Sequence, residues 1–167
     1  KVIEALERAK RAPLHRWIHA LAIPEVGEQT AFDLAGFFPD LQTLTSSSLL
    51  LETARLGDLR RMFEENKVGK EEDALSEAEK AGRKERQAEA KQLGNPVGTL
   101  LIEAGFARPC AQAWQARTLI GPSSAKAISD WVASAHGRRA LRRMREIGIS
   151  PQGGVTQTAT GTAKEIG

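Results

Sequence analysis

In the first 66 residues apolar positions recur three and four apart, the period of a helix that buries one stripe. In KVIEALERAKR, Val2, Leu6 and Ala9 share such a stripe, with Ile3 and Ala5 beside them. Pro13 breaks the pattern and suits a new helix start, and Leu14, Trp17, Ile18 and Leu21 carry the spacing on to about Ala22. Ile23-Pro24-Glu25-Val26-Gly27 then reads as a tight turn. A third helix is predicted from about Glu28 to Phe38, with Ala31, Leu34, Ala35 and Phe38 facing inward, and Pro39-Asp40 ends it. Residues 41–66 read as one or two short helices around the Ser46-Ser47-Ser48 cluster.

The pattern changes at Lys67. From there to Lys91, 14 of 25 residues are charged and most of the apolar ones are Ala, so a helix here would be polar on nearly every side. This stretch is expected to be a solvated insertion, either a long exposed helix or a mobile arm, with a dedicated binding element as the alternative. Periodicity resumes near Pro96, with Val97, Leu100, Leu101, Ile102 and Trp114 as core candidates. Leu119-Ile120-Gly121-Pro122 is a second tight turn, and a helix from Ser123 to about Ser134 places Ala127, Ile128, Trp131 and Val132 inward. Gly137 is expected to break it. A last helix runs from about Arg138 to Ile147 and ends at Gly148, a suitable C-terminal cap. Beyond Pro151 the Gly-, Thr- and Gln-rich sequence lacks periodicity and reads as a linker or tail. No segment alternates as a strand would, so the fold class is all-α, divided into 1–66, a charged insertion at 67–95, 96–150, and a tail at 151–167.

Composition agrees with helices packed on helices. Of the 167 residues 41% are hydrophobic but only 5% aromatic, with no Tyr, so the core rests on Leu, Ile, Ala and Val. No apolar stretch reaches membrane-spanning length and no signal-peptide pattern opens the chain, which reads as cytoplasmic. Cys110 is the only cysteine, which excludes an internal disulfide and a thiolate zinc site; its small neighbours suggest a buried residue. His15 and His19 stand four apart without an acidic residue at ligand spacing and read as a solvated or half-buried helical pair. Charge is uneven: residues 107–150 hold eight basic side chains against Asp130 and Glu146, which points to an anionic partner, nucleic acid first.

The chemistry lies in the two turns. Val26-Gly27-Glu28-Gln29-Thr30-Ala31 and Ile120-Gly121-Pro122-Ser123-Ser124-Ala125 share an aliphatic residue, Gly, three residues, then Ala opening a helix. Gly admits a tight turn, the aliphatic residue plugs it into the core, and Ala lets two helices approach. The first amides of the following helix are left pointing outward, and with the helix dipole behind them they form a seat for a phosphate. Gln29, Thr30, Ser123 and Ser124 are candidate side-chain donors. Such a seat holds backbone rather than bases, so recognition would be independent of sequence. Packing alone can also explain a single turn of this type. On the last helix Arg138 and Arg142, and likewise Arg139 and Arg143, are neighbours on an outer face, to be relieved by phosphates or simply solvated near a helix C-terminus.

The stretch Leu14–Ala35, with HALAIPEVGEQTAFDLA at its centre, closely resembles the third helix-hairpin-helix motif of NAD-dependent DNA ligases. Residues 119–149 resemble the fourth motif and its trailing helix, KVIEALERAK looks like the end of the preceding motif, and the tail lies where that family leads towards a BRCT domain. The resemblance implies a tandem helix-hairpin-helix (SAM-like) domain that grips duplex DNA, nicked in its working state, through phosphates across the minor groove. By the same resemblance Gly27 and Gly121, with the amides of residues 28–30 and 122–124, match the phosphate-binding turns, and Lys126 would reach a nearby phosphate. The family hairpins often carry another glycine two positions earlier, where this chain has Glu25 and Leu119. The parent would seal nicks in replication and repair in the bacterial nucleoid, with NAD, magnesium and zinc as its cofactors and its other domains as partners. This stretch lacks the nucleophilic Lys-x-Asp-Gly string, the four zinc cysteines and a nucleotide-binding Gly-rich loop, so none of those cofactors is expected on it. A hairpin module of another repair or recombination protein and a helical protein-interaction module are the alternatives.

Overall fold

The structure is a computed structural model that describes residues 1–70 and 74–154. Its helices are α1 (Val2–Lys10), α2 (Leu14–Ala20), α3 (Glu28–Phe37), α4 (Leu41–Ser46), α5 (Leu49–Glu65), α6 (Glu77–Glu103), α7 (Pro122–Ala133) and α8 (Ala135–Glu146). Among the described residues there is no strand, only isolated bridges pairing Asp40 with Gln152 and Ala107 with Thr118. No helix there is long and apolar enough to cross a membrane. The chain forms two compact units, one of residues 1–48 and 124–167 and one of residues 49–123.

In the first unit the predicted inner faces are buried. Leu14 and Ile18 of α2 and Ala31, Leu34 and Ala35 of α3 are buried, as are Ile23, Val26 and Phe38 between and after them. Asp40 caps α4, accepting from the Thr43 amide at 2.7 Å and its hydroxyl at 2.8 Å. Those bonds hold the Asp40 carboxyl below its ordinary pKa. Ile128 of α7 is fully buried, while Trp131 and Val132 border the groove against Ile18, Leu21 and Leu44.

Several expectations change in this unit. The α1 stripe is not buried: Val2, Ile3 and Leu6 are 74%, 76% and 58% exposed, because amphipathic spacing predicts a helix but supplies no partner for it. Gly137 does not break a helix but lies inside α8, whose start is set by Ser134 accepting from the Gly137 amide. Residues 151–154 are not a free linker. Pro151 is buried, the Gln152 carbonyl accepts from Leu14, and the Gly153 and Gly154 amides donate to Pro39 and Ala35. A Cβ on Gly153 would press on the carbonyls of Ala35 and Phe38 at 2.5 Å, so this glycine permits the close approach. The rest of the predicted tail, 155–167, lies outside the described residues.

The second unit is built on α5 and α6. Leu50, Thr53 and Leu56 of α5 and Ala90, Val97 and Leu101 of α6 are buried with Phe106 and Trp114. The boundary expected at 95/96 falls inside α6, which starts in the charged stretch and runs through Pro96. Its first two-thirds, up to Leu93, are mostly Glu, Ala, Lys, Arg and Gln, strong helix formers, and Ser76 and Glu79 close a reciprocal capping box at its start. Arg86 bonds Asn66 at 2.7 Å and Lys91 sits over the Phe63 and Trp114 rings, so these two cations of the stretch serve packing within the unit. Leu100, expected in the core, is 42% exposed on the outer side of α6. Cys110 is exposed rather than buried, and its thiol donates to the Gln112 carbonyl.

Candidate nucleic-acid interface

The turn between α2 and α3 is set by local chemistry. The Val26 amide donates to the Ile23 carbonyl at 3.2 Å across Pro24 and Glu25. Glu25 has φ +62°. Proline at the second position with positive φ at the third defines a type II turn, which ordinarily carries Gly where Glu25 stands. Val26 then plugs inward and Gly27 opens α3 as its N-terminal flanking residue, with φ −83° and ψ −179°. The first helical bond runs from the Ala31 amide to the Gly27 carbonyl, and no side chain caps the end. The amides of Glu28, Gln29 and Thr30 have no acceptor among the described residues.

Gly27 departs from its predicted role. Its φ is one that any residue adopts, and a Cβ built on it meets nothing within 4 Å, so the fold itself does not require glycine here. Its missing side chain leaves open space beside the three amides. Around them Gln29 donates to Asp33 at 2.9 Å with one N–H, Thr30 is half-buried, and Glu28 places a carboxylate on the rim.

The second turn differs from the first. No α-helix leads into it; the chain arrives through a 3₁₀ turn at Ala113–Gln115 and an extended stretch in which Arg108 donates to Arg117 and Leu119 to Phe106. Leu119 has no positive φ, so the turn lacks the left-handed residue of the first. Ile120 is buried, and Gly121, like Gly27, has open space where a Cβ would stand. Pro122 carries no N–H, so the predicted trio of amides 122–124 is reduced to Ser123 and Ser124. The predicted Ser124 side-chain donor is also withdrawn. Its buried hydroxyl has one proton, which it gives to the Glu25 carbonyl at 2.7 Å.

The cations are unequal. Lys126 pairs with Asp130 at 2.9 Å, and Arg138 donates to the Ala133 carbonyl, capping the end of α7. Arg143 pairs with Glu146 at 3.5 Å. Arg139 and Arg142 are exposed and in no ion pair among the described residues, while Met144 turns inward. Sequence reasoning missed Arg60. It is half-buried and donates to the Trp114 and Ala116 carbonyls at 2.7 and 2.5 Å; burial lowers its pKa, and nothing in its neighbourhood of sequence marks it. His15 is half-buried edge-on to Phe32. No group of three or more His, Cys, Asp or Glu side chains among the described residues is placed to hold a metal.

No family model and no solved structure matches the chain. Curated relatives do. The DNA ligase of Akkermansia muciniphila is 32% identical over 160 residues, covering 91% of this chain and 20% of that protein. The DNA ligase of Paracoccus denitrificans is 31% identical over 147 residues, covering 86% of this chain and 18% of that protein. A shorter match of 60 residues, 38% identical, links 35% of the chain to the DNA ligase of Shewanella frigidimarina. This chain is therefore similar, over most of its length, to one segment making up about a fifth of proteins named DNA ligase.

Proposed function

We propose that this chain is the helix-hairpin-helix region of an NAD-dependent DNA ligase and grips duplex DNA by its phosphates, independent of base sequence. The observation that carries the reading is the seat at Gly27. Three successive amides have no acceptor among the described residues, a helix dipole stands behind them, and neither φ nor packing requires glycine before them. Similarity to segments of DNA ligases supplies the class of partner. Gly121 with the Ser123 and Ser124 amides is a smaller second seat, and Arg139 joins Lys126, Arg138 and Arg142 as a cation for neighbouring phosphates. The duplex is proposed to be nicked and held across its minor groove, with the parent's other domains completing the grip. Sealing, with NAD, magnesium and zinc, belongs to that parent, in the bacterial nucleoid.

Fluorescence anisotropy of labelled nicked and intact duplexes tests this across a salt series. Binding should weaken linearly in log–log form, with a slope of roughly −0.9 per phosphate engaged, and should not depend on base sequence. The absence of duplex binding even at low salt would reject it. The exposed Val2, Ile3 and Leu6 stripe favours the interaction-module alternative, in which no duplex is bound at any salt concentration.

A further inference from the structure

Ser124 is buried, and its only proton goes to the backbone carbonyl of Glu25, far away in sequence. The other end of the same peptide unit is the Val26 amide, which donates to Ile23. One peptide plane is thus held at both ends, by α7 and by the turn's own bond, directly before Gly27. It needs holding, because Glu25 sits at φ +62°, where a side chain is strained and the turn would relax if released.

We infer that Ser124 is a positioning residue for the phosphate seat. Its hydroxyl locks the Glu25–Val26 peptide so that the amides of Glu28, Gln29 and Thr30 point together at the ligand. The inference rests on the DNA-binding reading and adds to it how the seat is held. Sequence alone suggested the opposite role, a hydroxyl offered to DNA; the geometry turns it inward. Glu25 lies in an exposed turn, so without the hydroxyl water can take its place at the carbonyl and folding should survive. The population of the competent turn, and with it the apparent affinity, should fall.

The test compares wild type, Ser124→Ala, Glu25→Gly and the double variant on a labelled duplex, well below their melting temperatures. Amide exchange at Val26 is followed alongside. Removing one hydrogen bond from a strained turn should weaken binding roughly three- to tenfold and speed exchange at Val26. Glycine takes positive φ without strain, so Glu25→Gly in the Ser124→Ala background should recover most of the affinity. Affinity equal to wild type in Ser124→Ala overturns the positioning role and leaves DNA binding standing. Weaker binding that follows a lowered melting temperature, with Val26 exchange unchanged and no recovery in the double variant, overturns it as well. If wild type binds no duplex, the reading beneath it fails and the inference with it.

Discussion

Replacing Gly27 by Val separates binding from folding. The backbone at this position, φ −83° and ψ −179°, is open to any L-residue, and the added Cβ meets nothing within 4 Å. Two small effects on stability oppose each other. Restricting the unfolded chain favours the variant by about 0.4–1 kcal/mol. Losing a tolerated N-terminal flanking residue disfavours it by roughly 0.5–1 kcal/mol. The sum is near zero, a shift in melting temperature of about 1–3 °C at most.

Binding should not cancel in this way. Hydrogen bonds from amides to a charged phosphate contribute about 1.5–3 kcal/mol each, and a branched side chain at the seat pushes the phosphate off at least one of them. That corresponds to a loss of roughly 10- to 150-fold in affinity. Anisotropy with a labelled duplex gives the affinity, a thermal melt gives the stability, and the salt slope should shrink by about 0.9 for each phosphate released. A folded Gly27→Val protein that binds as tightly as wild type would refute the argument that this glycine is kept for a ligand. So would a fall in affinity explained by a fall in melting temperature.

Four further outcomes follow from the same structure. Glu28→Gln removes a carboxylate beside the seat; at ~6–8 Å in water this repulsion is about 0.5–0.7 kcal/mol, so low-salt affinity should rise two- to threefold. Arg139→Gln with Arg142→Gln should leave the melting temperature unchanged and lower the salt slope by up to about 1.8, since neither arginine is in an ion pair among the described residues. Asp40→Ala should cost about 0.5–2 kcal/mol near neutral pH through loss of the α4 cap. Because folding lowers the Asp40 pKa, that stabilisation is complete above the unfolded value near 3.8 and is lost as pH falls through the folded one, so wild type and variant should converge in acid melts. Gly98→Ala should destabilise strongly, by about 3 kcal/mol or more, because its Cβ would overlap the Ala113 carbonyl; an unchanged melting temperature would contradict the packing described.

How much of this was legible depends on the range of the interactions. Helices from Leu14 to Phe37 and from Pro122 to Glu146 follow local periodicity, and their buried residues are largely those the period selects. The run through Pro96 was not legible, since a proline in a polar segment reads as a boundary while α6 tolerates it at an exposed position. Nor was the fate of α1, because its stripe is as amphipathic as that of a buried helix and only a partner decides. Leu119, standing two positions before Gly121 where glycine would open the turn, predicts a less open second turn, and Glu25 stands at the matching place in the first. The structure gives the two cases different meanings: Glu25 keeps the left-handed conformation without glycine, whereas Leu119 does not adopt it.

The glycines show most clearly why a site cannot be read from residue type alone. Gly57, Gly94, Gly98, Gly137 and Gly153 each have a neighbour that a Cβ would strike, at Pro122, Trp114, Ala113, Trp131 and Ala35 respectively, and packing alone explains them. Gly27 and Gly121 have no such neighbour and no left-handed backbone. In the sequence all seven are the same letter. Gly36 and Gly69 are equally free of both demands, so what sets Gly27 and Gly121 apart is their place directly before a helix, where a missing side chain leaves room beside main-chain amides. At Gly27 three amides stand behind that opening, whereas Pro122 leaves two behind Gly121. Of the two turns the first should therefore carry the larger share of any phosphate affinity, and Gly27→Val should cost more binding than Gly121→Val.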